Sequence, residues 1–158
     1  MEPVIRVSDL VVGFGARTVL DGISVAVERG EIFGFVGGSG SGKSVLLRSV
    51  IGLLPIRGGR IEVLGTSLRD APDEERRAIQ RRWGVLFQQG ALFSSLSVLQ
   101  NVQFPLREFL QLPPDLLDEM ARVKLEMVGI RAADLHKLPS ELSGGMTKRV
   151  ALARALAM

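Results

Sequence analysis

One segment constrains the fold of this chain more than any other, residues 31–53, which read EIFGFVGGSGSGKSVLLRSVIGL. The segment begins with a short apolar run at 32–36 and ends in an apolar pattern with helical spacing that starts at Val45. Compact apolar runs rich in β-branched and aromatic residues are typical of buried parallel strands. The segment therefore predicts a strand, a glycine-rich loop and a helix, in that order.

The loop carries the pattern G-x-x-x-x-G-K-[ST]. Glycine permits the positive φ angles with which a backbone can wrap an anion, and the helix that follows directs its free N–H groups and its positive dipole end at the same anion. In this pattern the lysine reaches the β- and γ-phosphates, and the hydroxyl after it ligates Mg²⁺. We therefore predict a nucleoside triphosphate site, the alternative being a plain connection between a strand and a helix. The predicted binding residues are Gly37, Gly38, Ser39, Gly40, Ser41, Gly42, Lys43 and Ser44, with Ser44 also a metal ligand.

Composition indicates a globular protein. The chain has 158 residues, 46% of them hydrophobic, which is enough for a real core. It contains no Cys, and we find neither a signal-peptide pattern nor an apolar run of transmembrane length, so we expect a soluble or peripheral protein in the cytoplasm. The net charge is only +3. We interpret the arginine-rich cluster at 76–82 as a solvated helix face balanced by the acids at 73–75, the alternative being a surface that faces phosphate or an anionic membrane. We expect no nucleic-acid partner.

Alternating apolar residues predict antiparallel strands over 4–12 and 19–28, joined by a loop that contains Phe14. Phe14 stands between two glycines. It is either a turn or core aromatic or a ring that stacks on adenine. The other predicted elements are strands at 60–64 and 83–87 and helices over 72–82, over 97–110 with an interruption at Pro105, and over 116–128, whose Met residues we expect in the core.

Two polar positions fall where ligands commonly gather. Gln88 follows the predicted strand at 83–87, and ligands of open α/β sheets bind at the carboxyl ends of strands. Its amide oxygen either joins the Mg²⁺ shell or belongs to an ordinary turn. Ser143, Gly144 and Gly145 precede an Ala- and Leu-rich helix, so they form either a simple helix cap or a second anion site.

Taken together, these residues resemble the nucleotide-binding subunit of ABC transporters. GGSGSGKS at 37–44 is similar to the Walker A loop, Gln88 in LFQQGALF to the Q-loop glutamine, and LSGGM at 142–146 to the signature motif. Phe14 falls where the family has its adenine-stacking aromatic. A narrower resemblance is to the ATPases of Mla-type phospholipid transporters and related Mce-associated importers. It is carried by residues 84–108, by QLP at 111–113, by residues 139–158 and by Met146 in place of the usual Gln.

The resemblance implies an α/β P-loop NTPase fold of the ABC ATPase type, with an antiparallel β subdomain and a helical insertion, incomplete at the C-terminus. It makes residues 1–158 one partial ABC ATPase domain. Within it, the resemblance implies an antiparallel β part at 1–30, a P-loop core at 31–88, a Q-loop and helical subdomain at 89–141, and the signature motif with its helix at 142–158.

The resemblance also implies cofactors and partners. ATP and Mg²⁺ bind between the P-loop of one subunit and Ser143, Gly144 and Gly145 of a second, head-to-tail subunit, with Gln88 as a further metal ligand. An integral membrane permease contacts the helical insertion, a lipid-binding Mce-type subunit belongs to the same system, and the ATPase lies on the cytoplasmic face of the bacterial inner membrane. A soluble ABC ATPase acting on ribosomes or DNA is a weaker interpretation, because the chain has one P-loop and no tandem domain.

The chain departs from the family pattern at its C-terminal end. The family continues with the Walker B aspartate, the catalytic glutamate and the switch histidine, and none of these follows within 158 residues. The single histidine, His136, precedes the signature, so we expect a surface or cap residue. We therefore expect no catalytic residue in this sequence and interpret it as part of a longer ATPase, the alternative being a truncated nucleotide-binding module that does not hydrolyse ATP.

Overall fold

The computed structural model describes residues 3–88 and 90–158. The chain divides into two compact units, Met1–Gln80 (unit 1) and Arg81–Met158 (unit 2). Unit 1 combines a sheet with two helices, and unit 2 is helical. None of the helices in the described part of the chain is long and apolar enough to cross a membrane.

Unit 1 is built on a four-stranded antiparallel sheet in the order β2-β1-β3-β4. The strand pair predicted from alternating apolar residues is confirmed, as is the strand predicted at 60–64. Two helices accompany the sheet, and the second has acids in its first turn, as predicted. The elements of unit 1 are β1 (Ile5–Phe14), β2 (Arg17–Val27), α1 (Lys43–Val50), β3 (Gly58–Val63), β4 (Thr66–Ser67) and α2 (Asp73–Gln80).

The core of unit 1 lies where α1 packs on β1 and β2. Every second or third residue of β1 is buried, which is the alternation expected of a strand with one covered face. Removing these apolar side chains from water stabilises the unit and fixes the position of α1 on the sheet. The position of α1 in turn fixes where the glycine loop before it ends. The buried apolar residues of unit 1 are Val7, Leu10, Val12, Leu20, Leu46, Val50, Ile61, Val63, Leu68 and Ile79.

The predicted strands at 32–36 and 83–87 are not present as strands. Ile32 and Val36 are 99% and 97% exposed, against the expectation that they are buried. A strand requires backbone hydrogen bonds to a neighbour, and no strand in the described residues pairs with either segment. The prediction was wrong for this chain because apolar composition selects a segment for a sheet but does not supply the adjacent strand.

Unit 2 packs three helices around one apolar cluster. Its elements are α3 (Val98–Phe109), α4 (Pro114–Met127), two single-turn 3₁₀ helices at Ala132–Asp134 and Pro139–Glu141, and α5 (Gly144–Ala155). The cluster consists of Val98, Leu99, Val102, Leu106, Leu117, Ala121, Leu125, Ile130, Leu135, Val150, Ala153 and Ala157.

Two details of the helix predictions need correction. α3 continues through Pro105 without an interruption. Burial of Val102 and Leu106 on either side of the proline holds the helix together, although the proline removes one backbone donor. In α4, Met120 packs against the core as predicted, but Met127 is 68% exposed.

Asn101 fixes the segment that leads into α3. Its fully buried amide accepts a hydrogen bond from the Phe93 N–H at 2.8 Å and donates to the carbonyls of Phe93 at 3.1 Å and Leu96 at 2.9 Å. Ser97 then caps the helix, with its hydroxyl accepting from the Gln100 N–H. A buried amide with its hydrogen bonds satisfied specifies one backbone path. The chain between Gln88 and α3 is therefore anchored on its α3 side.

Candidate nucleotide-binding site

The glycine loop leads directly into α1, and Gly42 sets the junction. Gly42 has a φ of 90°, in the left-handed region that favours glycine. A Cβ at this position would lie 2.7 Å from Leu20 Cδ2 of β2, so the leucine side chain would have to shift. The positive φ and this close contact together favour glycine at the junction.

Lys43 lies over the loop that precedes it. Its Nζ donates to the carbonyls of Gly37 and Gly38, both at 2.7 Å, and lies 3.3 Å from Ser41 Oγ. The loop is exposed, and α1 has no side-chain cap and no acidic residue in its first turn. A lysine ammonium and an uncapped helix N-terminus thus face the same exposed loop, an arrangement that attracts an anion.

Ser44 occupies the first turn of α1 and is exposed. Its hydroxyl is a hard oxygen ligand of the kind Mg²⁺ accepts alongside phosphate oxygens. The described residues hold no group of three or more His, Asp or Glu that could bind a metal ion without help. Any Mg²⁺ here would therefore depend on phosphate and water ligands as well as on Ser44.

Phe14 lies at the tip of the β1–β2 hairpin, opposite Arg17, and is 52% exposed. Its pairing partner Arg17 is three residues along β2 from Leu20, which lies beside Gly42. Three residues of strand span roughly 10 Å. Arg57 donates to the carbonyl of Gly15 in the hairpin turn and so supports the tip. An exposed ring on a supported turn, in the same unit as the glycine loop, is free to stack.

Gln88 belongs to unit 2 and lies in an exposed turn that the Gly90 N–H closes by donating to the Phe87 carbonyl at 3.0 Å. The adjacent Gln89 lies outside the described residues. The role of Gln88 toward Mg²⁺ stays a prediction.

Ser143 caps α5. Its φ and ψ of −69° and 157° are extended, and its hydroxyl accepts from the Met146 N–H at 3.3 Å. Gly144 and Gly145 are exposed, and a Cβ built on either would meet nothing within 4 Å. The fold of this chain does not require glycine at these two positions, so the requirement, if there is one, comes from outside the chain.

The structure brings Phe14 and residues 37–44 into unit 1, and Gln88 and Ser143–Gly145 into unit 2. His136 is exposed, which confirms the expectation of a surface residue. Sequence reasoning missed Arg154, which donates to the carbonyls of Gly90 and Ala91 just after Gln88. The available signal was an arginine in the otherwise apolar run ALARALAM.

The chain has relatives among known proteins. A sequence model of the ABC transporter family matches residues 20–158. The intermembrane phospholipid transport system ATP-binding protein MlaF of Haemophilus influenzae is 41% identical over 157 residues, covering 99% of this chain and 59% of MlaF. The corresponding Escherichia coli K12 protein is 44% identical over 144 residues, 91% of this chain and 53% of its own length. A probable ribonucleotide transport ATP-binding protein, mkl of Mycobacterium leprae, is 39% identical over the whole chain and 45% of its own length.

Solved structures agree with the sequence relatives. The dimeric structure of MJ0796, described as a bacterial ABC transporter cassette, matches with a TM-score of 0.88 and 29% identity over 97% of this chain and 69% of that one. A second structure of MJ0796 is a dimer in a post-hydrolysis state bound to ADP and Pi. The chain spans about half the length of the curated relatives it matches. It belongs to the ABC transporter family of ATP-binding proteins and has Mla-type ATP-binding proteins among its relatives.

Proposed function

We propose that this chain is the nucleotide-binding part of an ABC transporter ATPase that couples ATP binding and hydrolysis to the transport of phospholipid or a related lipid across the bacterial envelope. The observation that carries the proposal is the position of Lys43, whose Nζ lies 2.7 Å from two carbonyls of an exposed glycine loop at the uncapped N-terminus of α1. The lipid substrate is proposed by analogy with the MlaF relatives, whose names describe phospholipid transport.

Each part of ATP would have its own binding residues in this site. The loop amides and the α1 N-terminus would hold the β- and γ-phosphates, and Lys43 would turn from the carbonyls to a phosphate oxygen. Phe14 would stack on the adenine ring, at the hairpin end toward which the strands lead from the α1 junction. Ser44, with Gln88, would hold Mg²⁺, which neutralises charge that develops on the phosphates during transfer.

A second subunit would complete the site. The open space around Gly144 and Gly145 supports this, because glycines that nothing in the chain requires allow another molecule to approach closely. The N-terminus of α5 would then face the γ-phosphate held by the partner's P-loop. Two copies arranged head to tail would form two such shared sites, in keeping with the dimeric cassettes to which the chain is similar.

Hydrolysis requires a group that orients the attacking water. We propose that this group, and the Walker B aspartate, lie in the part of the longer protein that corresponds to the unmatched half of the relatives. The second candidate is a module that binds ATP without hydrolysing it. It is favoured by the predicted site residues, which include a lysine, hydroxyls and an amide but no carboxylate.

An apolar groove in unit 2 would contact the membrane permease. The groove has a volume of about 270 Å³ and is lined in part by Phe93, Phe104 and Phe109, with Phe93 and Phe104 41% and 42% exposed. Exposed aromatic side chains of this kind are typical anchors of protein interfaces. We propose that a permease segment fills the groove, that an Mce-type lipid-binding subunit completes the system, and that the ATPase thereby lies at the cytoplasmic face of the inner membrane.

The decisive experiment is a Lys43→Ala substitution in the full-length subunit, with labelled-ATP binding and ATPase turnover as readouts. We expect loss of turnover and at least a roughly tenfold weaker affinity for ATP, because a charge-assisted contact to phosphate of about 1.5–3 kcal/mol is removed. Lys124→Ala, in helix α4 of unit 2, is the matched control and should behave as wild type.

The two outcomes separate the candidates. Wild-type affinity and turnover in Lys43→Ala would overturn the site. The non-hydrolysing module would instead be supported by two results together. Lys43→Ala would bind ATP more weakly than the wild-type protein, and the wild-type protein would show no turnover even with its permease present.

A further inference from the structure

Arg154, in the last turn of α5, links that helix to the turn that follows Gln88. Its Nη1 donates to the Ala91 carbonyl and its Nη2 to the Gly90 carbonyl, each at 2.8 Å. The guanidinium also lies 5.7 Å from the centroid of the Phe93 ring. One planar group therefore holds two successive carbonyls, which the fork geometry of arginine allows and the single ammonium of lysine does not reproduce.

The backbone that Arg154 holds is bent. Gly90 and Ala91 have φ angles of 80° and 45°, both in the left-handed region. For Ala91 this conformation costs about 1–2 kcal/mol, so other contacts must maintain it. Gly90 is buried, and a Cβ there would lie 3.2 Å from the Ala151 Cβ and 3.3 Å from Thr147. The turn thus rests directly on α5.

This contact is made by a charge that has lost much of its hydration. Arg154 is only partly exposed, and burial lowers the pKa of its guanidinium. No carboxylate in the described residues lies within 4 Å of it. Backbone carbonyls and one ring face therefore supply all the stabilisation that the structure shows for this charge. A plain helix end would not require such an arrangement.

We propose that Arg154 is a positioning residue for Gln88: it fixes the turn that carries Gln88 to the same helix that carries Ser143–Gly145, so that the two nucleotide-contacting segments of unit 2 move as one piece. The inference rests on the proposed function, because it assigns Arg154 to the placement of a residue proposed to hold Mg²⁺. α5 spans about 18 Å from one end to the other, so a rigid helix carries the displacement of one segment to the other.

The first test is Arg154→Lys in the full-length subunit, with kcat, equilibrium ATP binding and the Mg²⁺ concentration for half-maximal turnover as readouts. We expect kcat to fall about tenfold or more, the Mg²⁺ requirement to rise about tenfold, and ATP affinity to stay within about twofold, because Lys43 and the glycine loop lie in the other unit. Arg149→Lys is the matched control. Arg149 lies on the same helix and donates to the Gly129 carbonyl at 2.8 Å, but it contacts the end of α4 and should leave the Mg²⁺ requirement unchanged.

A double-substitution cycle then asks whether Arg154 acts through Gln88. If it does, Arg154→Lys added to Gln88→Ala should lower kcat by less than about twofold beyond Gln88→Ala alone. Independent effects that multiply would overturn the inference, as would wild-type kcat and Mg²⁺ dependence in Arg154→Lys. Wild-type turnover in Gln88→Ala is a different failure, because it removes the proposed role of Gln88 whatever Arg154 does.

A second variant covers the case in which Arg154→Lys does not fold. Arg154→Gln removes the partly buried charge together with the fork that holds the two carbonyls, so it leaves no unpaired charge that could unfold the chain. It should show the same fall in kcat and the same rise in Mg²⁺ requirement, at unchanged ATP affinity. Wild-type values in a folded Arg154→Gln protein would overturn the inference.

Discussion

At Gly145, stability and binding favour different residues. It lies in the first turn of α5, where glycine is a poor helix former, and a Cβ there would meet nothing within 4 Å. Folding alone would favour alanine. A residue that the fold would prefer to replace is best explained by what approaches it from outside.

We therefore predict opposite effects of Gly145→Ala on stability and on turnover. The free energy of unfolding should rise by about 0.5 kcal/mol, because alanine loses less backbone entropy in a helix. ATPase turnover of the full-length protein should fall about tenfold, because the methyl group separates the helix N-terminus from the partner's phosphate. Urea denaturation and steady-state ATPase measurements check the two effects, and a more stable variant with unchanged turnover would contradict the shared site.

The position of Lys43 beside its glycine loop could be predicted from the sequence because the two are adjacent in the chain, whereas the hydrogen bonds of Arg154 could not. Lys43 is constrained by spacing to its own loop, six residues from Gly37. Arg154 contacts carbonyls 63 and 64 residues away, and only the path of the chain brings them together. Local chemistry is therefore visible in sequence, and long-range positioning is not.

At the scale of elements, the connection between α4 and α5 depends on one carboxylate. Asp134, in the 3₁₀ turn Ala132–Asp134, is 2% exposed and lies 2.7 Å from Lys137 Nζ and 3.1 Å from Arg131 Nε. The hydrogen bonds from Lys137 and Arg131 lower the pKa of Asp134 below its ordinary value of 3.8. The ionised form is thus favoured in the folded chain.

This lowered pKa predicts how the contribution of Asp134 to stability depends on pH. A carboxyl group whose pKa is lower in the folded chain stabilises the fold above its unfolded pKa of 3.8, and the contribution is lost as the pH falls through the still lower folded value. Asp134→Asn should therefore destabilise the protein at pH 7, by an amount that shrinks below pH 3.8. Urea denaturation at several pH values measures it.

Glu119→Gln, at an exposed position of α4, is the control for Asp134→Asn and should change stability little at any of these pH values. A loss of stability in Asp134→Asn that is the same at pH 7 and well below 3.8 would show that the carboxylate charge does not account for it.

Helices were easier to predict than central strands, for a reason that belongs to this scale. α3 satisfies its backbone internally, so the pattern of Val98, Val102 and Leu106 was sufficient to identify it. The segment at 32–36 has an equally clear apolar pattern, but its hydrogen bonds must come from other strands. An apolar pattern therefore identifies such a segment without identifying the strands with which it would have to pair.

At the scale of the whole molecule, unit 1 exposes surface that a complete core would cover. A cavity of about 580 Å³ lies beside α1 and is lined mainly by apolar residues, among them Val7, Val25 and Phe35. Patches of this kind are covered in stable proteins by further chain or by a partner. The relatives are about twice as long as this chain, and we propose that the corresponding additional residues fill the cavity.

The shared-site arrangement makes a prediction about two copies that neither copy shows alone. In a head-to-tail dimer, Ser143→Arg blocks the site of the opposite subunit, whereas Lys43→Ala disables the site of its own. A dimer made of either variant alone should retain and turn over ATP poorly, because neither of its two sites is intact. A single Ser143→Arg subunit should still bind nucleotide, because its P-loop is unchanged. Loss of the Ser143 cap costs about 1 kcal/mol and should not unfold the protein.

Mixing the two variants is the decisive measurement, because a mixed dimer contains one site in which both the P-loop and the signature residues are intact. With random pairing, half of the dimers are mixed, so about a quarter of all sites are restored, and turnover or tight ATP retention should reappear. Ser140→Arg, three residues earlier and exposed, is the matched control and should not impair the dimer. Sites formed within single subunits would give no recovery, since every subunit in the mixture carries a substitution that disables it.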